Sequence, residues 1–114
     1  MDSDINIDLS QFHEIFFEEC AEGIVVMEAE LLNLNIGEPD LDVINTIFRA
    51  AHSIKGSAGT FGFPEVTDFT HHMETALDEM RGGRLEVTRE AIESLLAAVD
   101  CLRVMIDCSK SDKP

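Results

Sequence analysis

Apolar residues recur at intervals of three and four through four successive stretches of this chain, and none shows the strict alternation of a half-buried strand. Such a pattern folds only as helices that bury one face each. The first helix is expected over about residues 8–35, with Leu9, Phe12, Phe16, Cys20, Met27, Leu31 and Leu34 on one side and Gly37 and Pro39 as its stop; Gly23 within it would allow close packing. The second is expected over 40–59. Asp40 is its N-cap, Ile44, Ile47, Phe48, Ala51, Ile54 and Ala58 form its inner face, and residues 59–63 close it. Pro64 suits the first position of a third helix over 64–81, with Val66, Phe69, Met73, Leu77 and Met80 inward and Gly82 and Gly83 at its end. Thr88 caps a fourth over 88–107, where Val87 and Ile92 hold staple positions and Leu95, Leu96, Val99, Leu102 and Ile106 continue the stripe.

Four amphipathic helices with short connections are satisfied most simply by an all-α, up-down antiparallel four-helix bundle. The 114 residues suffice for one modest core, so residues 1–107 read as one domain and residues 108–114 as a tail or linker.

Charge narrows the function. With 8 Lys and Arg against 23 Asp and Glu, the formal charge of −15 repels a phosphate backbone and an anionic membrane surface, so neither nucleic acid nor membrane is an expected partner. Residues 1–8 lack the basic and apolar regions of a secretory signal, which points to a cytoplasmic protein. Cys20, Cys101 and Cys108 are odd in number and lie in apolar helical patterns without the paired spacing of a zinc or redox site, so they read as reduced packing residues. Tyr and Trp are absent, which removes the usual anchors of a large interface and implies small, transient contacts by a monomer.

The chemistry is concentrated in the second helix. At ~100° per residue, with Ala51 at the centre of the buried stripe, His52 falls at its edge and Lys55 and Gly59 lie near it on the same side. A glycine inside a helix costs roughly 1 kcal/mol relative to alanine, yet Gly56 and Gly59 both flank this imidazole. A phosphoryl acceptor explains the choice, because a partner must bring a bulky pentacoordinate phosphorus against a ring nitrogen. Neutral histidine is a nucleophile near pH 7, and Lys55 stands where it could neutralise phosphoryl oxygens. On the third helix, Glu74 falls at an edge of the buried stripe that could face the second helix; His71 is further round, and His13 reads as solvent-facing.

The segment AHSIKGSAGTFGF, residues 51–63, resembles the phosphorylation motif of histidine phosphotransfer (HPt) domains. Its continuation THHMETALDEMRGG, residues 70–83, extends the likeness to the amino-terminal phosphotransfer domains of chemotaxis histidine kinases of the CheA family, over most of residues 8–107. The resemblance implies that His52 is phosphorylated at Nε2, that Lys55 and Gly56 complete its motif, and that Glu74 accepts a hydrogen bond from Nδ1–H, with His71 beside it. It implies a kinase catalytic domain as donor and a CheY-like or CheB-like response regulator as acceptor, with ATP and Mg2+ belonging to those partners and no cofactor or metal in this chain. Ser57 departs from the family's usual glycine and His72 from a usual apolar residue. The family's domain usually carries a fifth helix, so the chain reads as a fragment of a longer kinase, a transferase without catalysis of its own. The alternatives are a stand-alone HPt relay protein, a non-catalytic adaptor bundle, and a metal site built from His52, His71, His72 and Glu74; adjacent His71 and His72 point ~100° apart, which weighs against the last.

Overall fold

The computed structural model describes the backbone of residues 2–111 and the side chains of residues 11–110, so the side chain of Leu9 lies outside the described residues. Four helices and no strand occur among them: α1 (Asp2–Asn33), α2 (Leu41–Phe61), α3 (Pro64–Arg81) and α4 (Arg89–Ser111). Each packs along two others, through seams α1–α2, α2–α3, α3–α4 and α1–α4. With connections this short, the ring of seams is an up-down bundle, as the periodicity predicts. It measures 56 × 21 × 20 Å.

The helix ends follow from local chemistry. The Asp40 carboxylate accepts a 2.9 Å bond from the Asp42 amide and caps α2. That helix runs past Gly59, where sequence places its end, to a C-cap at Gly62 with φ 84°, a left-handed conformation that glycine adopts without strain. Pro64 occupies the first turn of α3, where its missing N–H leaves no hydrogen bond unmade. Thr88 Oγ1 accepts from the Ala91 amide at 3.1 Å to start α4. Two ends differ from expectation by more than a residue or two. Helix α1 begins at Asp2 rather than near Asp8, and α4 continues through Ser111 rather than stopping near 107, since neither extension holds a glycine or proline to break it.

The core runs the length of the bundle. Phe16, Met27, Leu31, Ile44, Ile47, Leu77 and Leu102 are fully enclosed, and the Phe16 ring stacks on Phe63 with centroids 4.6 Å apart. The single buried polar side chain among the described residues, Thr70, donates its hydroxyl to the Val66 carbonyl at 2.7 Å.

One expectation for the cysteines holds, and several others are corrected here. Cys20 is buried, and its burial, reinforced by Glu19, pushes the thiol up to about 12, so it is a neutral packing group. Cys101 and Cys108, expected in the core, are exposed. Each lies two residues beyond a core position, Val99 and Ile106, which turns it ~200° away from the buried stripe. Phe12 is 48% exposed and packs on Phe61 at the bundle edge, with ring centroids 5.9 Å apart. His13, expected to face solvent, is half-buried with its ring against Phe63 at 5.3 Å. No helix among the described residues is long and apolar enough to cross a membrane.

Candidate functional site

The α2–α3 seam brings together three of the residues singled out from sequence. His52 stands on the outer edge of α2, its side chain 63% exposed, and its Nδ1 lies 2.7 Å from Glu74 Oε2 on α3. The other carboxylate oxygen, Oε1, accepts from Lys55 Nζ at 2.8 Å. Glu74 therefore bridges two groups one turn apart on the facing helix, and its own side chain is only 14% exposed.

Electrostatics fixes the state of this bridge. Burial raises the Glu74 carboxyl, but hydrogen bonds from Lys55 and His52, with the positive charge on those groups, outweigh it and hold the group below the usual carboxylate value of 4.5. The carboxylate is thus ionised near neutrality and can only accept. Consequently Nδ1 carries the hydrogen in this contact, and in the neutral imidazole the free lone pair resides on Nε2, the nitrogen turned away from Glu74.

The ring has a second support that sequence did not single out. The Phe48 ring, one turn earlier on α2, lies nearly parallel to the His52 imidazole, with centroids 6.1 Å apart and 7° between the planes. The Arg81 guanidinium sits 3.9 Å above the Phe48 centroid and pairs with Asp78 at 2.5 Å. Phe48 was visible as an apolar residue four before the histidine, but nothing in the linear pattern brings Arg81 to it from the end of α3.

The two glycines flank the imidazole without serving internal packing. A Cβ added at Gly56 would meet nothing within 4 Å, and one at Gly59 would make only an ordinary 3.9 Å contact with Thr67 Oγ1. Neither has the positive φ that would demand glycine. The surface they clear faces outward, beside the imidazole edge.

His71 is not drawn into the bridge. It lies exposed on α3, its ring tilted against that of His72 at 6.2 Å, and among the described residues it makes no hydrogen bond or ion pair through that ring. Among the same residues, no group of three or more His, Cys, Asp or Glu is arranged to hold a metal ion, so His52, His71, His72 and Glu74 do not converge as ligands. Lys55 is directed at Glu74 on the inner side of the ring rather than outward.

A family model described as Hpt domain matches residues 11–106. The chain is 41% identical over 109 residues to the chemotaxis protein CheA of Salmonella typhimurium, covering 96% of this chain and 16% of that one. It is 39% identical over 104 residues to CheA of Rhizobium meliloti, covering 91% of this chain and 14% of the relative. Thus it spans about a sixth of the length of these curated relatives. Among solved structures, the CheA phosphotransferase domain from Thermotoga maritima superposes with a TM-score of 0.78 at 32% identity, over 85% of this chain and 92% of that one. The phosphorylated P1 domain of CheA3 in complex with CheY6 from R. sphaeroides gives a TM-score of 0.81 at 29% identity, over 89% of this chain and 79% of that one.

Proposed function

The chain belongs to the Hpt domain family, and from that premise we propose that His52 is a phosphoryl acceptor and donor in a two-component chemotaxis relay. The observation that carries this reading is the Glu74 carboxylate held 2.7 Å from Nδ1, which leaves the outward Nε2 as the nucleophile. In the forward step Nε2 attacks the γ-phosphorus of ATP held by a kinase catalytic domain. The N–P bond forms as the bond to the ADP oxygen breaks, and ADP leaves with the electron pair. Positive charge develops on the ring during attack, and the ionised Glu74 against Nδ1–H compensates it. In the second step an aspartate of a CheY-like or CheB-like regulator attacks the same phosphorus, and the N–P electron pair returns to Nε2. Support for a regulator partner comes from the relative solved as a phosphorylated P1 domain with CheY6.

Residues 11–106, the span that the family model matches, form the phosphotransfer unit in this reading. ATP and Mg2+ are bound by the partners, where phosphoryl transfer draws its charge stabilisation. The setting is cytoplasmic, where ATP is available. Lys55 acts through Glu74, holding the carboxylate ionised and in place, while Gly56 and Gly59 admit the partner; His71, one turn from Glu74 on the same helix, is assigned to the rim that the partner meets.

The test is incubation with a chemotaxis-type kinase catalytic domain and γ-labelled ATP, comparing the wild type with His52→Gln. Acid-labile label on the wild type and its complete loss in the variant, with unchanged helical content, is expected. Folded wild type that stays unlabelled by several kinases active on their own substrates would replace this reading with an adaptor bundle.

A further inference from the structure

Arg49 stands one turn before His52 on α2. It is exposed, and among the described residues it makes no ion pair or hydrogen bond, in a chain where acidic residues outnumber basic ones by 23 to 8. Arg81, Arg84 and Arg103 all pair with carboxylates, and Lys55 is engaged by Glu74 at 2.8 Å with its side chain only 23% exposed. Arg89, also without an ion pair, lies at the start of α4 rather than beside His52. Around the axis of α2, Arg49 lies ~60° from His52 on the solvent side, and Gly56 lies ~40° from it on that same side one turn further on. Residues three apart on a helix have Cβ atoms ~5–6 Å apart, which puts the Arg49 side chain within reach of the solvent side of His52.

Opposite charges thus divide the two edges of the imidazole. The Nδ1 edge faces the Glu74 carboxylate, which Lys55 also holds, while Nε2 is turned away from Glu74 on a helix whose solvent side carries Arg49 one turn before and Gly56 one turn after. A phosphoryl group on Nε2 brings anionic oxygens to the side where Glu74 is not, and among the described residues Arg49 is the cation one turn from His52 that no carboxylate already holds. Its planar, multi-donor head suits such oxygens better than a point charge.

We infer that Arg49, rather than Lys55, is the residue of this domain that contacts the phosphoryl oxygens of phosphorylated His52 and holds the group for transfer. The inference rests on His52 being the phosphoacceptor. It assigns the two cations flanking the histidine to different tasks: Lys55 orients the ring through Glu74, and Arg49 binds the transferred group.

The experiment charges the wild type, Arg49→Gln and Arg49→Lys with potassium phosphoramidate, a small donor that needs no kinase docking, and follows phosphohistidine by 31P NMR across pH. A cation against the phosphoryl group lowers the midpoint of any proton the phosphohistidine binds. Removing an exposed ion pair in Arg49→Gln should therefore raise that midpoint by about 0.2 to 0.7 of a pH unit, with Arg49→Lys recovering part of the difference. The Arg49 Nε–H resonance of the wild type should also move when the domain is charged. Equal midpoints in all three proteins, with an unmoved Nε–H resonance, would overturn the role of Arg49 while leaving His52 as acceptor. Absence of phosphohistidine in the folded wild type, with the kinase as well as with phosphoramidate, would overturn the phosphoacceptor reading itself, and Arg49's role with it.

Discussion

Along its α1 edge, helix α2 is closed by steric fit, whereas along its α3 edge it is closed by charge. At the first seam Gly23 lets α1 approach so closely that an added Cβ would sit 2.9 Å from Ile54 Cδ1 and 3.3 Å from Ile54 Cγ1, and Ile54 is buried. At the second, the Glu74 carboxylate spans the gap to His52 and Lys55. A seam made of close packing leaves nothing reactive at its rim. One made of a shared carboxylate orients a ring whose other edge remains in solvent, and that is the arrangement a nucleophile requires. The same contrast separates the glycines: Gly23 is needed by a neighbour within the fold, while a Cβ at Gly56 would enter open space.

The largest effect should come from filling the steric seam. Gly23→Leu drives a side chain against Ile54 Cδ1 and Cγ1, and overpacking of this kind costs typically about 1 to 3 kcal/mol, measured as a lowered urea midpoint with unchanged slope. A Gly23→Leu protein as stable as the wild type would show that the α1–α2 seam has slack and would remove the contrast. Gly56→Ala should act in the opposite direction and by less. Its backbone is already helical and the space is open, so stability should rise by about 0.4 to 1 kcal/mol. Its phosphorylation by a kinase should slow, because the methyl group stands where the partner approaches; a stabilised variant with unaltered kinetics would separate the glycine from the reaction.

The smallest effect is the acid limb of stability. Because the Glu74 carboxyl is held below 4.5 in the fold, its contribution is complete above the unfolded-state value and is lost as pH falls through the lowered value. Unfolding free energies compared between neutral pH and pH 3 should therefore fall more steeply in the wild type than in Glu74→Gln. Parallel curves would mean that the bridge orients His52 without stabilising the seam.

Much of this organisation was legible in the linear pattern, and the exceptions have identifiable causes. Asp40, Pro64 and Thr88 act at helix ends through bonds to their own next turn, so neighbours in sequence decide them. Gly59 was placed at the end of α2, but glycine is only a permissive stop, and the helix continued until Gly62 took the left-handed conformation. Cys101 and Cys108 look like core residues because an apolar side chain carries no mark of the face it occupies; only the phase set by Val99, Leu102 and Ile106 turns them outward. Arg81 reaches Phe48, and Lys55 turns to Glu74, through the relative rotation of α2 and α3, which no local rule specifies.

By itself the sequence determined the all-α class, the four-helix count and the motif around His52, because periodicity, capping and glycine placement act over one or two turns. The tertiary structure alone decided which edge of His52 meets a carboxylate, that this carboxylate also holds Lys55, and that Arg49 makes no ion pair among the described residues. Those outcomes depend on the rotation and register of packed helices. A few degrees or a few ångströms there separate a 2.7 Å hydrogen bond from no contact at all.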